Sequence, residues 1–162
     1  SITSFNEMAL RHAVDEVNGA TMEAPQLQGY GRRNSYTMQG IMSVIKATGA
    51  LSKHCIFVAH EDTPTKDEMT GAMMVSILVG GKMQSEIPIK LSEVWYLQDT
   101  GKDRKITIRS SRLRKPMKSR MFVQSGESDF TWNFDPESWK GEGIEDWYKL
   151  WVDNDGRKID LP

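Results

Sequence analysis

Residues 54–61 read HCIFVAHE, and this stretch decides the fold that the sequence predicts. All residues at 55–59 are apolar, and two of them, Ile56 and Val58, are β-branched. An apolar run without polar alternation is typical of a strand buried on both faces, as in a parallel sheet that helices cover on each side. We therefore expect residues 55–59 to form a central strand.

The apolar run ends at two ionisable residues, His60 and Glu61, and a polar loop follows at 62–67. In open α/β sheets, ligands bind just beyond the carboxyl ends of the strands. The pair therefore has two open interpretations. It is either the polar end of a strand that faces water, or part of a functional site.

Helices precede this strand and a hairpin follows it. Apolar spacing predicts one helix over 5–17 and a second over 36–48, with a loop at 21–35 between them. That loop contains two adjacent arginines, so it either touches a polyanion or a neighbouring subunit, or is a solvated connection. Residues 91–97 and 105–109 predict two antiparallel strands joined by a turn. The predicted fold class is α/β, with a parallel core strand and an antiparallel hairpin flanked by helices.

The composition limits the class of protein more than it identifies a function. The chain has 162 residues, enough for one domain, and a net charge of −1, which indicates no particular partner. Its single cysteine, Cys55, rules out an intrachain disulfide and fits a reducing compartment. No apolar stretch is as long as the about 20 residues that a membrane span needs. The first residues do not resemble a signal peptide. The scattered His and Cys residues predict no metal site.

Charge is distributed unevenly along the chain. Residues 102–120 contain nine Lys or Arg and one Asp, whereas residues 126–162 contain ten acidic and four basic residues. A basic segment followed by an acidic one predicts a phosphate- or nucleic-acid-facing element beside a solvated tail. The aromatic residues at 123–162 lie among acids that would repel phosphate, so we expect them to close a sheet edge or to contact a partner.

The order of these pieces resembles the distal half of the RecA-like P-loop ATPases. It is most similar to the phage nucleotide-binding proteins linked to single-strand annealing and recombination. The matching pieces are SITS at 1–4, HE at 60–61, GGK at 80–82, EVWYL at 93–97 and KSR at 118–120. The resemblance covers residues 1–122, which we interpret as the distal half of a RecA-like core, and residues 123–162 form an acidic, aromatic-rich extension.

The resemblance implies a part of a RecA-like ATP-binding protein of phage-type DNA recombination or annealing, in the cytoplasm of a bacterial host. The intact parent would use ATP and Mg²⁺. The phosphate-binding motif G-x-x-x-x-G-K-[ST] is absent, and residues 80–83 lack both its first glycine and its Ser or Thr. We therefore expect no ATP hydrolysis by this chain alone, and no bound cofactor.

The resemblance also implies roles for two groups of residues that follow the apolar strand. His60 and Glu61 match the catalytic pair at the strand end, which senses the terminal phosphate or positions the attacking water. Gly80, Gly81 and Lys82 match the small-residue turn after a DNA-facing loop, where backbone N–H groups could approach a phosphate.

Lys118 and Arg120 match basic residues that, in related assemblies, bind the nucleotide of a neighbouring subunit. A cation supplied in trans stabilises charge on the transferring phosphoryl group and can be worth about 10³–10⁵ in rate. Each of these side chains has an alternative interpretation as a solvated surface charge.

Two other classes of function remain open. The chain could be a non-enzymatic module that binds nucleic acid or a protein through the basic segment 102–120, or a structural protein that binds no nucleotide. The expected partners are single-stranded DNA and further copies of the chain, with no membrane. A RecA-like sheet without its first strands would leave one edge of the strand at 55–59 open. Because exposed strand edges pair with other chains, we expect a homo-oligomer.

Overall fold

The structure is a computed structural model, and it describes residues 1–111, 113–114, 117–124, 129–135, 137–138 and 140–161. The chain divides into two compact units. The first unit comprises Ser1–Lys66 and Val75–Ile87, and the second comprises Asp67–Met74 and Pro88–Pro162.

Two helices form most of the first unit, α1 over Ile2–Asp15 and α2 over Gln26–Ala50. The Oγ of Ser1 accepts a hydrogen bond from the N–H of Ser4 and caps α1. Between the helices, the buried Asn6 donates from Nδ2 to Oγ1 of the buried Thr37 at 3.0 Å. This bond pairs two buried polar side chains where the helices meet.

The second helix begins earlier than the sequence predicts, so the loop expected at 21–35 is wrong from residue 26 onwards. Pro25 precedes the helix with φ −67°, a value that suits a helix start. Gly29 is buried, and a Cβ built on it would lie 3.7 Å from Cγ1 of Val14. That distance is an ordinary contact, so a Cβ would fit at Gly29, and the glycines that indicated a loop lie within α2.

Residues 55–59 are extended but form no strand, so the predicted parallel core strand is not present. Their side chains alternate: Cys55, Phe57 and Ala59 are half-buried, whereas Ile56 is 69% exposed and Val58 is 61% exposed. Only one face of the segment is covered, and a strand buried on both faces needs layers on each side. Among the described residues, the sheets are antiparallel and the one parallel pairing is an isolated bridge between Phe122 and Ile159.

The second unit contains a three-stranded antiparallel sheet of order β3-β4-β5. Its strands are β3 over Tyr96–Asp99, β4 over Arg104–Thr107 and β5 over Asp129–Thr131. The predicted antiparallel hairpin is therefore present, although β3 begins at Tyr96 rather than at residue 91. Gly101, with φ +81°, lies in the turn between β3 and β4. The chain as a whole is mixed helix and sheet.

The remaining elements are short. They are β1 over Thr65–Lys66, β2 over Met73–Met74, α3 over Met83–Lys90, β6 over Phe134–Asp135, β7 over Lys140–Gly141 and α4 over Ile144–Asp153. Strands β6 and β7 pair antiparallel. None of the helices described is long and apolar enough to cross a membrane.

An aromatic core holds the second unit together. Its buried members are Ile106, Ile108, Met121, Phe122, Phe130 and Trp147. The Trp147 ring meets that of Phe122 at a centroid distance of 5.7 Å and that of Phe130 at 5.5 Å, both edge to face. Such pairs stabilise a core beyond the area that they bury. Residues from both sides of position 122 therefore pack in one core.

Candidate functional site

In the first unit, His60 and Glu61 lie at the start of a short antiparallel pairing. The N–H of Leu78 donates to the carbonyl of His60 at 2.7 Å, and the N–H of Asp62 donates to the carbonyl of Ser76 at 2.8 Å. Glu61 forms the bridge between these bonds, opposite Ile77. Both predicted site residues are exposed.

The side chains of His60 and Glu61 lie on opposite sides of the extended backbone. Consecutive residues of an extended segment point to opposite faces. His60 shares a side with the exposed Ile56 and Val58, and Glu61 shares a side with Phe57. The pair therefore presents two separate polar groups rather than one joint acid–base couple.

The glycine turn at Gly80 and Gly81 lies close by in the same unit, just beyond Leu78. Gly81 has φ +62°, a conformation that favours glycine. A Cβ built on Gly80 would lie 1.9 Å from Nη2 of Arg33, so the guanidinium rests directly against the turn. Lys82 is exposed at the next position, immediately before α3.

Arg33 lies in α2 and its guanidinium contacts this turn. The sequence did not assign Arg33 to the same site as Lys82. Its guanidinium lies 5.0 Å from the ring centroid of Tyr30, and its Nε donates to Oδ1 of Asn34 at 3.1 Å. Burial lowers the pKa of Arg33, and among the described residues it makes no ion pair with a carboxylate. The i, i+3 spacing of Tyr30 and Arg33 on a helix was the signal that could have revealed it.

We name this group of residues the glycine-turn cluster: Arg33, Gly80, Gly81 and Lys82. Two cationic side chains border the turn. The guanidinium of Arg33 can lie close to the turn's backbone because Gly80 has no Cβ. Such a combination suits an anionic group, since guanidinium and ammonium groups both donate to phosphate oxygens.

In the second unit, Lys118 and Arg120 lie on an extended segment that pairs with Val94. Lys118 exchanges two backbone hydrogen bonds with Val94, at 2.9 and 3.1 Å, and its Nζ donates to the carbonyl of Ile89 at 3.2 Å. The Lys118 side chain is thus held within its own unit. Arg120 is exposed, and its backbone N–H donates to Oε1 of Glu93 at 2.5 Å.

Glu93 organises this segment, a role that the sequence did not indicate. Its Oε1 accepts the N–H groups of Arg120 and Met121, and its Oε2 accepts Nε1 of Trp95 at 2.8 Å. One carboxylate therefore ties the basic segment to the aromatic core. Of the two predicted cations, Arg120 is the better placed to reach another molecule.

The sheet of the second unit carries a basic face, which we define by the outward-facing residues of its strands together with Arg109, two residues beyond β4, and Arg114, whose guanidinium covers the ring of Tyr96. Strand register places Tyr96 opposite Thr107 and Gln98 opposite Lys105. These alternate with the buried Ile106 and Ile108, so they lie on the face away from the core. The residues of the basic face are Tyr96, Gln98, Lys105, Thr107, Arg109, Arg114, Asp129 and Thr131.

Arg114 covers the ring of Tyr96 on this face. Its Cζ lies 3.9 Å from the ring centroid, within the range of a cation–π contact. With Lys105 and Arg109, the described part of the face has three cationic side chains and one carboxylate, Asp129. Three further residues of the predicted basic segment, Arg112, Lys115 and Pro116, lie outside the described residues.

The residues present do not form an ATP site of the expected kind. The turn at 80–83 has no first glycine of the phosphate-binding motif and no Ser or Thr to hold Mg²⁺. Over the described part of the chain, no group of three or more His, Cys, Asp or Glu could hold a metal ion. We therefore derive no catalytic step from ATP for this chain.

Comparisons with protein-family models, with curated proteins and with solved structures found no match. The interpretation of the site consequently rests on the geometry of its own residues.

Proposed function

We propose that this chain is the distal part of a RecA-like ATP-binding protein of phage-type DNA recombination or annealing. We further propose that the chain alone binds single-stranded DNA and does not hydrolyse ATP. The order of the sequence pieces supports the first statement, and the basic face supports the second. Such a protein would work in the cytoplasm of a bacterial host.

The observation that carries the proposal is the composition of the basic face. Lys105 and Tyr96 lie on the same side of the sheet, Arg114 covers the Tyr96 ring, and Arg109 is exposed two residues beyond β4. Single-strand binding combines cations that follow the phosphates with aromatic or guanidinium planes on which bases stack. The Arg114 guanidinium over the Tyr96 ring offers such a plane, because the ring already removes water from one side of it.

The remaining site residues would have other roles. The glycine-turn cluster is suited to a DNA phosphate, with Arg33 joining Lys82 beside the turn. Arg120 and, after leaving the carbonyl of Ile89, Lys118 would reach the nucleotide of a neighbouring subunit. His60 and Glu61 would sense the terminal phosphate or position the attacking water in the intact protein, and because they lie on opposite sides of the backbone they would contact different groups.

A second candidate is a module that binds nucleic acid or protein without any connection to an ATPase. The same basic face favours it, because the face lies within one unit and needs no nucleotide. The two candidates differ in what Arg120 does. In the module it is a surface charge, whereas in the RecA-like protein it serves a neighbour that carries a nucleotide.

The test is the binding of a fluorescein-labelled oligothymidine, measured by anisotropy at several salt concentrations. We expect the logarithm of the affinity to fall linearly with the logarithm of the salt concentration, with a slope of about −0.7 per phosphate neutralised. K105Q and R109Q should each make the slope less steep by up to about 0.7. K149Q on α4 is the matched control, because it removes one exposed charge from another part of the same unit.

Two outcomes would contradict the proposal. Affinity that does not depend on salt, or equal losses in K105Q and K149Q, would remove the basic face from binding. Saturable binding of a fluorescent ATP analogue with Mg²⁺ by this chain alone would show that a nucleotide site is present after all.

A further inference from the structure

We propose that a groove in the second unit binds a small organic cation that has an apolar body. The groove has a volume of about 500 Å³, and small-molecule sites typically have about 300–1,000 Å³. We call it the α4 groove, because α4 supplies one of its walls. None of its lining residues belongs to the basic face, so the inference holds whether or not that face binds DNA.

One wall of the α4 groove is the helix itself. Trp147, Leu150 and Asp153 line the groove at intervals of three residues, so each neighbours the next on the helix surface. Glu142 lies just before the helix and also lines the groove. Its Oε2 accepts a hydrogen bond from Nε1 of Trp147 at 3.2 Å, which ties this carboxylate to the wall.

The other wall is the segment at 154–160, which hydrogen bonds hold in place. The N–H of Ile159 donates to the carbonyl of Met121 at 2.8 Å, and its carbonyl accepts from the N–H of Val123 at 2.9 Å. Nδ2 of Asn154 donates to the carbonyl of Lys158 at 3.4 Å. Both walls are therefore fixed parts of the fold, and the groove is formed without a ligand.

The lining between these walls is apolar. Leu150 is 55% exposed and Ile159 is half-buried, so both side chains offer surface to a ligand. The buried rings of Phe122 and Trp147 lie beneath them and meet edge to face. Apolar surface of this kind gains free energy when an apolar group covers it and removes water. The lining therefore favours a ligand with an apolar body.

The charged groups of the α4 groove select a cation. Glu142, Asp153 and Asp160 contribute three carboxylates, and Lys158 contributes one ammonium group. In the described part of the chain, none of these four side chains forms an ion pair, so their excess negative charge is available to a ligand. The carboxylates do not converge on a metal ion, because no described group of three or more His, Cys, Asp or Glu could hold one. An organic cation matches both the negative charge and the apolar lining.

The experiment compares three probes of similar size by isothermal titration calorimetry: phenethylammonium, phenethyl alcohol and 3-phenylpropionate. The cation should bind most tightly, the neutral alcohol less tightly and the anion least. Asp153→Asn and Asp160→Asn should each weaken phenethylammonium binding by up to about fivefold, and Lys158→Gln should strengthen it by a similar factor. None of the three should change the affinity for the alcohol, whereas Leu150→Ala should weaken both, because it removes apolar surface.

Asp103→Asn is the matched control, since it makes the same charge change at an exposed position of the second unit that does not line the α4 groove. It should leave every affinity unchanged, and thermal unfolding of each variant checks that the fold is kept. A wild-type chain that shows no saturable binding of phenethylammonium up to its solubility limit would overturn the proposal. So would equal affinities for the three probes, or equal losses in Asp103→Asn and Asp153→Asn.

Discussion

The two units of this protein bury their apolar residues in different ways. In the second unit, Phe122 is fully buried and Trp147 is 1% exposed, and the aromatic rings enclose one another. In the first unit, α1 and α2 bury residues such as Ala13 and Ile41, yet the most apolar stretch of the sequence keeps Ile56 and Val58 largely exposed. The comparison shows that a strongly apolar stretch is not the same as a core, because burial also requires elements on each side.

The largest expected effect comes from breaking the aromatic core. Trp147→Ala should lower the free energy of unfolding by about 3–5 kcal/mol, because it removes the ring that meets Phe122 and Phe130 and leaves a cavity. Calorimetry measures the loss. Leu150→Ala on the same helix is the control, since Leu150 is 55% exposed and its truncation should change stability by less than about 0.5 kcal/mol. Similar losses in both variants would contradict the assignment of the core to Trp147.

A smaller effect is expected from overfilling the helix contact of the first unit. A Cβ on Gly40 would lie 2.4 Å from Cζ of Phe5, so Gly40→Ala should force the helices apart or displace the ring, at a cost of about 1–3 kcal/mol. Gly31 lies on the same helix with nothing within 4 Å of such a Cβ. Gly31→Ala should therefore stabilise the chain by about 0.5–1 kcal/mol.

Chemical denaturation with urea distinguishes the two alanine variants by the direction of the change. If both variants shift the midpoint the same way, close packing of α1 on α2 is not the reason that position 40 requires glycine. Opposite shifts would confirm that the first unit has one well-packed contact, between its helices, beside its open apolar segment.

The smallest effect concerns the polar contact at the end of α1. Hydrogen bonds from Tyr36 and from Arg32 lower the pKa of Glu16. Its contribution to stability is therefore fully present above the pKa that Glu16 has in the unfolded chain, and it is lost as the pH falls through the lower pKa of the folded chain. Glu16→Gln should lower the urea midpoint slightly at neutral pH, and the difference from wild type should disappear as the pH falls through the lowered pKa of Glu16. A difference that persists in acid would point to a cause other than the carboxylate charge.

The sequence predicted the hairpin of the second unit because polar and apolar residues alternate over Lys105, Ile106, Thr107 and Ile108. Such alternation indicates a strand with one covered face. It could not predict the state of residues 55–59. An unbroken apolar run is compatible with burial on two faces, and nothing in the run says whether a second layer is present. The prediction of a buried strand was wrong because the covering elements, not the run itself, decide burial.

The candidate site was also predictable only in part. Lys82 and the two glycines stand out because glycine pairs mark turns, but Arg33 became part of that site only through the early start of α2. Glu93 contacts Trp95, 2 residues away in the sequence, and Arg120, 27 residues away. No local sequence pattern encodes these contacts. Contacts of this kind depend on tertiary packing, so the sequence alone left them out.

All five tryptophans of the chain, at positions 95, 132, 139, 147 and 151, belong to the second unit, and the first unit has none. Indole emission consequently reports the melting of one unit and is blind to the other. Far-ultraviolet circular dichroism has the opposite emphasis, since α1 and α2 contribute 14 and 25 helical residues to the first unit, whereas α4 contributes 10 to the second. Two optical signals from an unlabelled chain thus reveal whether its halves come apart together or in succession.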